Sequence, residues 1–209
     1  PPDIMLRNGD AIEVKKIQSK GSSLALNSSY PKHTLKATNP LINNACKNAE
    51  EWKEKDMIYA IGVVKDSYLH SLCMVYGTEY CASDEIYSNI RRRIKDSVIN
   101  TPGVENEETK ELGHINKVDP LGITYPRVRG MWGIENPTKV FNYVYTPNDN
   151  ADFNFMCIIN DTKWKTFDNK DELITLSKLH EHLNISDIKV KDPDNPAKLK
   201  PAKMITFYI

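Results

Sequence analysis

Near the start of the chain, Asp3, Glu13 and Lys15 are the residues whose types and spacing could do chemistry together. Nine residues separate the two acids, and Lys15 follows Glu13 by two. Two carboxylates held a few ångströms apart repel each other and invite a hard divalent cation such as Mg²⁺. A cation there would lower the pKa of a bound water and neutralise charge building on a phosphodiester. Lys15, pointing the same way as Glu13, could orient or deprotonate the attacking water. The plainer alternative is an amphipathic hairpin whose charged face meets solvent. Spacing does not choose between the two, because Asp…Glu-x-Lys is short and common.

The element that must position these residues is a β-hairpin over residues 3–17, turning at Arg7-Asn8-Gly9. Its register decides whether a site forms. A two-residue Asn8-Gly9 loop pairs Ile4 with Glu13 and sends Asp3 to the opposite face from Glu13. A three-residue loop, with Gly9 as a left-handed bulge, pairs Leu6 with Asp10. It places Asp3 opposite Glu13, with Lys15 on the same face. It also collects Ile4, Leu6, Ile12 and Val14 on the other face, so burial is expected to favour the register that chemistry needs.

Farther along, residues 21–40 are rich in Ser, Asn and Pro and read as a functional loop with a short helical turn. Residues 41–55 read as an exposed helix held by Leu41, Ala45 and Trp52. The apolar runs Met57–Val64 and Tyr68–Tyr76, split by Lys65-Asp66-Ser67, suit central strands. Ser83 is placed to cap a helix to about Ile99, whose stripe Ile86, Ile90, Ile94 and Val98 is expected to pack on the sheet. Residues 100–122 read as a polar connection. Ile123–Ile134 reads as a broken strand, and Asn136-Pro137 as the start of a helix near 137–145. Strands are expected at Phe153–Asn160, Lys163–Phe167 and Met204–Ile209, with a helix at Asp171–Leu183. The expected boundary at Thr146–Asp152 divides a core, residues 1–146, from a C-terminal extension, residues 147–209.

The 209 residues are 40% hydrophobic, enough for a packed core, and the 28 basic residues equal the 28 acidic ones. Net charge therefore names no partner, and any polyanion would have to be met by a local basic lining. No apolar run reaches membrane-spanning length and no signal-peptide pattern opens the chain. The start at Pro1, not Met, suggests a missing upstream segment. Cys46, Cys73, Cys81 and Cys157 form no CxxC pair and read as reduced thiols, which makes the sequons at Asn27, Asn160 and Asn184 chance matches.

Pro2-Asp3, nine residues, then Glu13-Val14-Lys15 match the PD-(D/E)xK nuclease signature. Beyond it, DIMLRNGDAIEVKKIQSKGSSLALNSSYPK (Asp3–Lys32) and NKVDPLGITYPRVRGMWGIENP (Asn116–Pro137) resemble the NgoPII-type family of type II restriction endonucleases. The resemblance runs from Asp3 to about Tyr145. It implies an α/β fold, a mixed sheet flanked by helices, in a cytoplasmic enzyme of a restriction-modification system. It implies Mg²⁺-dependent hydrolysis of double-stranded DNA at a short palindrome, GGCC in the namesake, and cutting a palindrome is most simply done by a two-fold symmetric homodimer. By motif, Asp3 and Glu13 would be the metal ligands and Lys15 the catalytic lysine. Members of the wider fold often add an acid from a helix upstream of the hairpin, so the site is expected to be incomplete here. Two other readings remain open: a structure-specific or repair nuclease of the same superfamily, and a DNA-binding module without catalysis.

DNA contacts are expected from Ser22, Ser23, Asn27 and Ser28 beside the hairpin, and from Arg127, Arg129 and Trp132. Small polar residues also serve turns, and alternate arginines also make a solvent face, so each has a structural alternative. Arginine reads guanine bidentately in the major groove, which suits a G·C-containing site. Arg91-Arg92-Arg93 and Lys95 read as a solvated helix face. His114 carries no expected role, His180 and His182 point to different sides of their helix, and Asp192-Pro193-Asp194-Asn195 reads as a turn.

Overall fold

The opening hairpin forms from β1 (Ile4–Met5) and β2 (Ala11–Ile17), with Ile4 opposite Ile12 and Met5 opposite Ala11. The Leu6 amide donates to the Asp10 carbonyl at 3.0 Å, which fixes the three-residue loop and its register. The left-handed residue, however, is Asn8 (φ 55°), not Gly9. Asparagine tolerates that region better than most side-chain-bearing residues. The turn is also docked from outside. Asn8 donates its amide to Glu50, while Lys55 reaches the carbonyls of Leu6 at 2.9 Å and Gly9 at 2.6 Å.

This computed structural model describes residues 2–27, 29–102, 105–106, 109 and 111–209. The first crossover carries β3 (Leu24–Asn27), β4 (Thr34–Lys36) and α1 (Asn44–Lys47). It leads to β5 (Glu54–Lys65), parallel to β2, and β5 turns through Asp66 and Ser67 into antiparallel β6 (Tyr68–Tyr76). The second crossover is longer. It holds α2 (Gly77–Tyr80), α3 (Asp84–Ile99), β7 (Glu105–Asn106), β8 (Gly113–Lys117), β9 (Arg127–Val128), β10 (Met131–Ile134) and α4 (Pro137–Val140). Then come β11 (Asn154–Asn160), parallel to β6, α5 (Asp161–Lys165), α6 (Lys170–Leu179), β12 (Leu183–Lys191) and β13 (Leu199–Tyr208). The main sheet runs β1-β2-β5-β6-β11-β13-β12, with β4 alongside β5. It continues without a break past Thr146–Asp152, because β11 bonds directly to β6.

Side-chain alternation sorts the core onto the two faces of this sheet. Met57, Tyr59, Ile61 and Val63 share one face with Cys73, Val75, Met156 and Ile158, covered by Leu24, Leu35, Ile42, Phe141 and Tyr145. Ile58, Tyr76, Cys157, Ile159 and Ile205 share the other, covered by Trp164 of α5 and by Leu173 and Ile174 of α6. A mixed sheet buried on both faces is the expected α/β architecture.

Several local expectations fail for identifiable reasons. The hairpin's apolar side is its more exposed one: Ile4, Leu6 and Val14 are each close to half exposed, while Glu13 is buried. The register is right, but burial does not select it as argued, since the β2 face that meets the main core carries Ala11, Glu13 and Ile17. The loop at 21–40 contains two strands, and the 41–55 helix shrinks to α1, with Ile42 buried and Ala45 exposed. Helix α3 forms where expected, yet Ile86, Ile90 and Ile94 stay about 40% exposed and none of its residues is buried. Lys163–Phe167 is not a strand. Asn160 caps the Lys163 amide at 2.7 Å and starts α5 instead. Alternation in residues 183–191 (LNISDIKVK) makes β12, where no strand was expected, and α6 ends at Leu179.

Candidate active site

Strand β2 presents Glu13 and Lys15 from the same face, across from Tyr59 and Ile61 of parallel β5. Hydrophobic neighbours bury the Glu13 side chain to 8% exposure, whereas Lys15 keeps 25%. The Lys15 ammonium bonds Glu13 Oε1. Glu13 Oε2 is buried and has no hydrogen-bond partner. Leaving a carboxylate oxygen orphaned in a core costs on the order of 1–3 kcal/mol, so its retention asks for a ligand.

Asp3 lies just before β1, where its amide donates to the Ile12 carbonyl at 3.0 Å. Its Oδ2 accepts the Val14 amide at 2.8 Å. Asp3 therefore holds the main chain of β2 at Val14, between Glu13 and Lys15. One oxygen of Asp3 is committed to that amide.

The donor set fits a hard cation. Glu13 offers a buried oxygen with no other partner, and Asp3 has a second carboxylate oxygen beside the same strand. Among the described residues no three His, Cys, Asp or Glu side chains converge to hold a metal. Magnesium accepts such a sparse set, because it keeps several waters and takes one or two carboxylates plus substrate phosphate. A second charged cluster contrasts with this one. Lys163 bonds Asp10 at 2.6 Å and Asp56 at 2.8 Å, and the Tyr76 hydroxyl donates to Asp10 at 2.8 Å. Burial works against the Lys163 charge, but its two carboxylates hold its pKa up. Those acids are satisfied internally.

The polar loop and the arginine strand, far apart in sequence, meet through strand pairing. β3 and β10 form a ribbon with Asn27 opposite Met131 and Leu26 opposite Trp132. Ser22, Ser23 and Asn27 are exposed along it, and Ser28 lies outside the described residues. Asn136 explains how this ribbon stays near the hairpin. Buried and capping α4 through Thr138, it also donates to the Lys20 carbonyl at 3.0 Å, tying α4 to the loop that leaves β2.

Arg127 and Arg129 both remain more than a third exposed, yet share one partner that sequence reasoning missed. Glu111 accepts from Arg127 at 2.7 and 2.9 Å and from Arg129 at 2.8 Å. Those arginines hold the Glu111 carboxyl below its usual range. Nothing in the local sequence marks Glu111, because the strands that join it to Arg127 are short and separated by a long turn. Trp132 is half-buried and meets Tyr87 and Tyr30 edge-on at 5.5 and 6.1 Å. It holds the ribbon against α3 and lines, with Tyr30, Arg91, Glu111 and Arg129, a cavity of about 360 Å³. Lys32 is buried beneath this cluster, its ammonium 3.3 Å from the Tyr30 ring centre and without a hydrogen-bond partner. Burial pushes its pKa down to about 8.

The four cysteines are free thiols. Among the described residues no helix is long and apolar enough to cross a membrane.

The model of the NgoPII restriction endonuclease family matches residues 1–191. The chain is 56% identical over 210 residues to the type II restriction enzyme NgoPII of Neisseria gonorrhoeae, a match covering all of this chain and 75% of that protein. No solved structure matches.

Proposed function

This chain belongs to the NgoPII restriction endonuclease family, and on that premise we propose that it hydrolyses both strands of DNA at a short palindrome, with GGCC the first sequence to test. The observation that carries the reading is the buried Glu13 carboxylate, one oxygen on Lys15 and the other without a partner. Glu13 and Asp3 would hold Mg²⁺, which when bound supplies charge neutralisation at the scissile phosphate and a more acidic water.

The chain's own residues do the rest. Lys15 keeps donors beyond the one given to Glu13, and these orient the attacking water or steady the developing negative charge. Asp3, bonded to the Val14 amide, keeps β2 aligned between the two reacting side chains. Arg127 and Arg129 exchange Glu111 for guanine edges when DNA arrives, while Ser22, Ser23 and Asn27 take phosphates or bases along the ribbon. Ser28 belongs to the same polar run. A palindrome read by one asymmetric surface is most simply cut by a two-fold symmetric dimer, each subunit supplying one metal site. Free cysteines suit a reducing cytoplasm.

Digestion of a DNA of known sequence with Mg²⁺, followed by mapping of the ends, tests the proposal. Discrete fragments sharing one terminal sequence are expected. A smear, or cutting confined to branched DNA, would contradict it.

A further inference from the structure

The hairpin of β8 and β9 reaches outward as an arm whose tip is apolar. Leu121 is 82% exposed and Ile123 70%, flanked by exposed Val118 and Tyr125. Exposed apolar side chains scattered singly need no explanation, but a cluster on one projecting turn does.

The tip is also held in one shape. Asp119 accepts amides from Leu121 at 3.0 Å, Ile123 at 3.1 Å and Thr124 at 2.8 Å, and the Thr124 hydroxyl at 2.7 Å. These bonds, the Thr124 hydroxyl first, hold its carboxyl down to about 2. Gly122 takes the left-handed conformation (φ 67°) that the turn requires. At the base, Gly113 leaves no room for a Cβ, which would stand 2.3 Å from Val98 of α3. A contact made by such a tip loses little ordering entropy.

We propose that residues 118–125 form a DNA wedge, in which Leu121 enters between two base pairs and partly unstacks them. The inference rests on the DNA-cutting reading above. Its partner is named by charge and continuity. Residues 113–130 carry Lys117, Arg127 and Arg129, each about half exposed, against the single acid Asp119, whose oxygens face inward onto the turn; Lys117 pairs with Glu105 and both arginines with Glu111, surface pairs that DNA phosphates can replace. The arm also springs from His114 paired with Arg127, the residue proposed to read guanine. Apolar wedges of this kind unstack a step and kink the duplex. Six residue steps separate Leu121 from Arg127, at most about 20 Å of extended chain. The wedge therefore enters within roughly six base-pair steps of the Arg127 contact.

The test uses duplexes containing GGCC, with 2-aminopurine placed in turn at each step across and beside it. The Lys15→Ala protein is added in Mg²⁺ so that the DNA stays whole. A several-fold fluorescence rise confined to one step, or to its two-fold mate, is expected. Leu121→Ser on the same background should abolish it and weaken binding about tenfold, the usual scale for losing part of a buried leucine. Leu121 is exposed, so the variant should fold normally. No rise at any step with saturating protein would overturn the wedge, as would a rise that Leu121→Ser leaves intact. If Leu121→Ser splits a dimer in sedimentation and leaves the fluorescence unchanged, the tip contacts a second copy and the proposal fails. Plasmid cutting by the unmodified chain is scored separately. Specific cutting without unstacking would sink the wedge alone, and unstacking without cutting would sink the hydrolase reading alone.

Discussion

The Glu13 face of β2 and the ribbon-and-arm of residues 105–135 use charge in opposite ways. Glu13 stands in the parallel pair of β2 and β5, buried, with an oxygen left unpartnered. Arg127 stands on the two-residue β9 and Arg129 just beyond it, both exposed, with their donors on Glu111. The first arrangement leaves a buried carboxylate oxygen open to a ligand, and the second keeps its cations satisfied at the surface. On the proposed reading, chemistry sits on a buried strand face, and recognition sits on exposed strands whose contacts can be traded.

Glu13→Gln sharpens that contrast most. We expect cutting to fall about 10³-fold, the scale on which reactive groups act, while the thermal midpoint stays near that of the parent. A large loss of stability with cutting retained would make Glu13 a structural residue.

Lys32 probes the seam between the two regions. Its folded pKa, about 8 against 10.5 for the free side chain, means the charged form is disfavoured on folding. The penalty is fully present below about pH 8 and is relieved as pH rises toward 10.5, where the unfolded chain also loses its proton. At most it amounts to about 3 kcal/mol. Lys32→Met should therefore raise the midpoint by several degrees at pH 7 and flatten the rise in stability between pH 8 and 10. A lower midpoint at pH 7 would show that the cation over Tyr30 is net stabilising.

Arg127→Ala and Arg129→Ala should each weaken specific binding by about 1–3 kcal/mol and relax discrimination at one base pair. Equal weakening on all sequences would reduce them to phosphate contacts. The smallest change is expected from Glu111→Gln, which frees both arginines. Non-specific DNA binding should tighten a few-fold at low salt, with a steeper salt dependence. Unchanged non-specific binding would show that Glu111 does not hold the arginines back.

The hairpin was legible as an element and its three-residue loop was one of two registers the sequence allows, but the burial expected to choose between them lies on the opposite face. Legible too were the central strands Glu54–Lys65 and Tyr68–Tyr76, whose apolar runs leave little choice. Which face of β2 is buried was not legible, because that depends on Tyr59 and Phe141, distant in sequence. The same applies to α3, whose isoleucine stripe forms a helix without saying what covers it. The union of Asn27 with Met131, and of Glu111 with two arginines, comes from pairing between crossovers, which no local pattern encodes.

The central claim is that Glu13 and Lys15 perform the cut while the ribbon holds the DNA. It is tested most directly by measuring affinity and single-turnover cleavage on one end-mapped duplex, for the parent chain and for Lys15→Ala. Cleavage should be lost by about 10³-fold with affinity within a few-fold of the parent. Cutting at the parental rate, or affinity falling in step with the rate, would contradict the account.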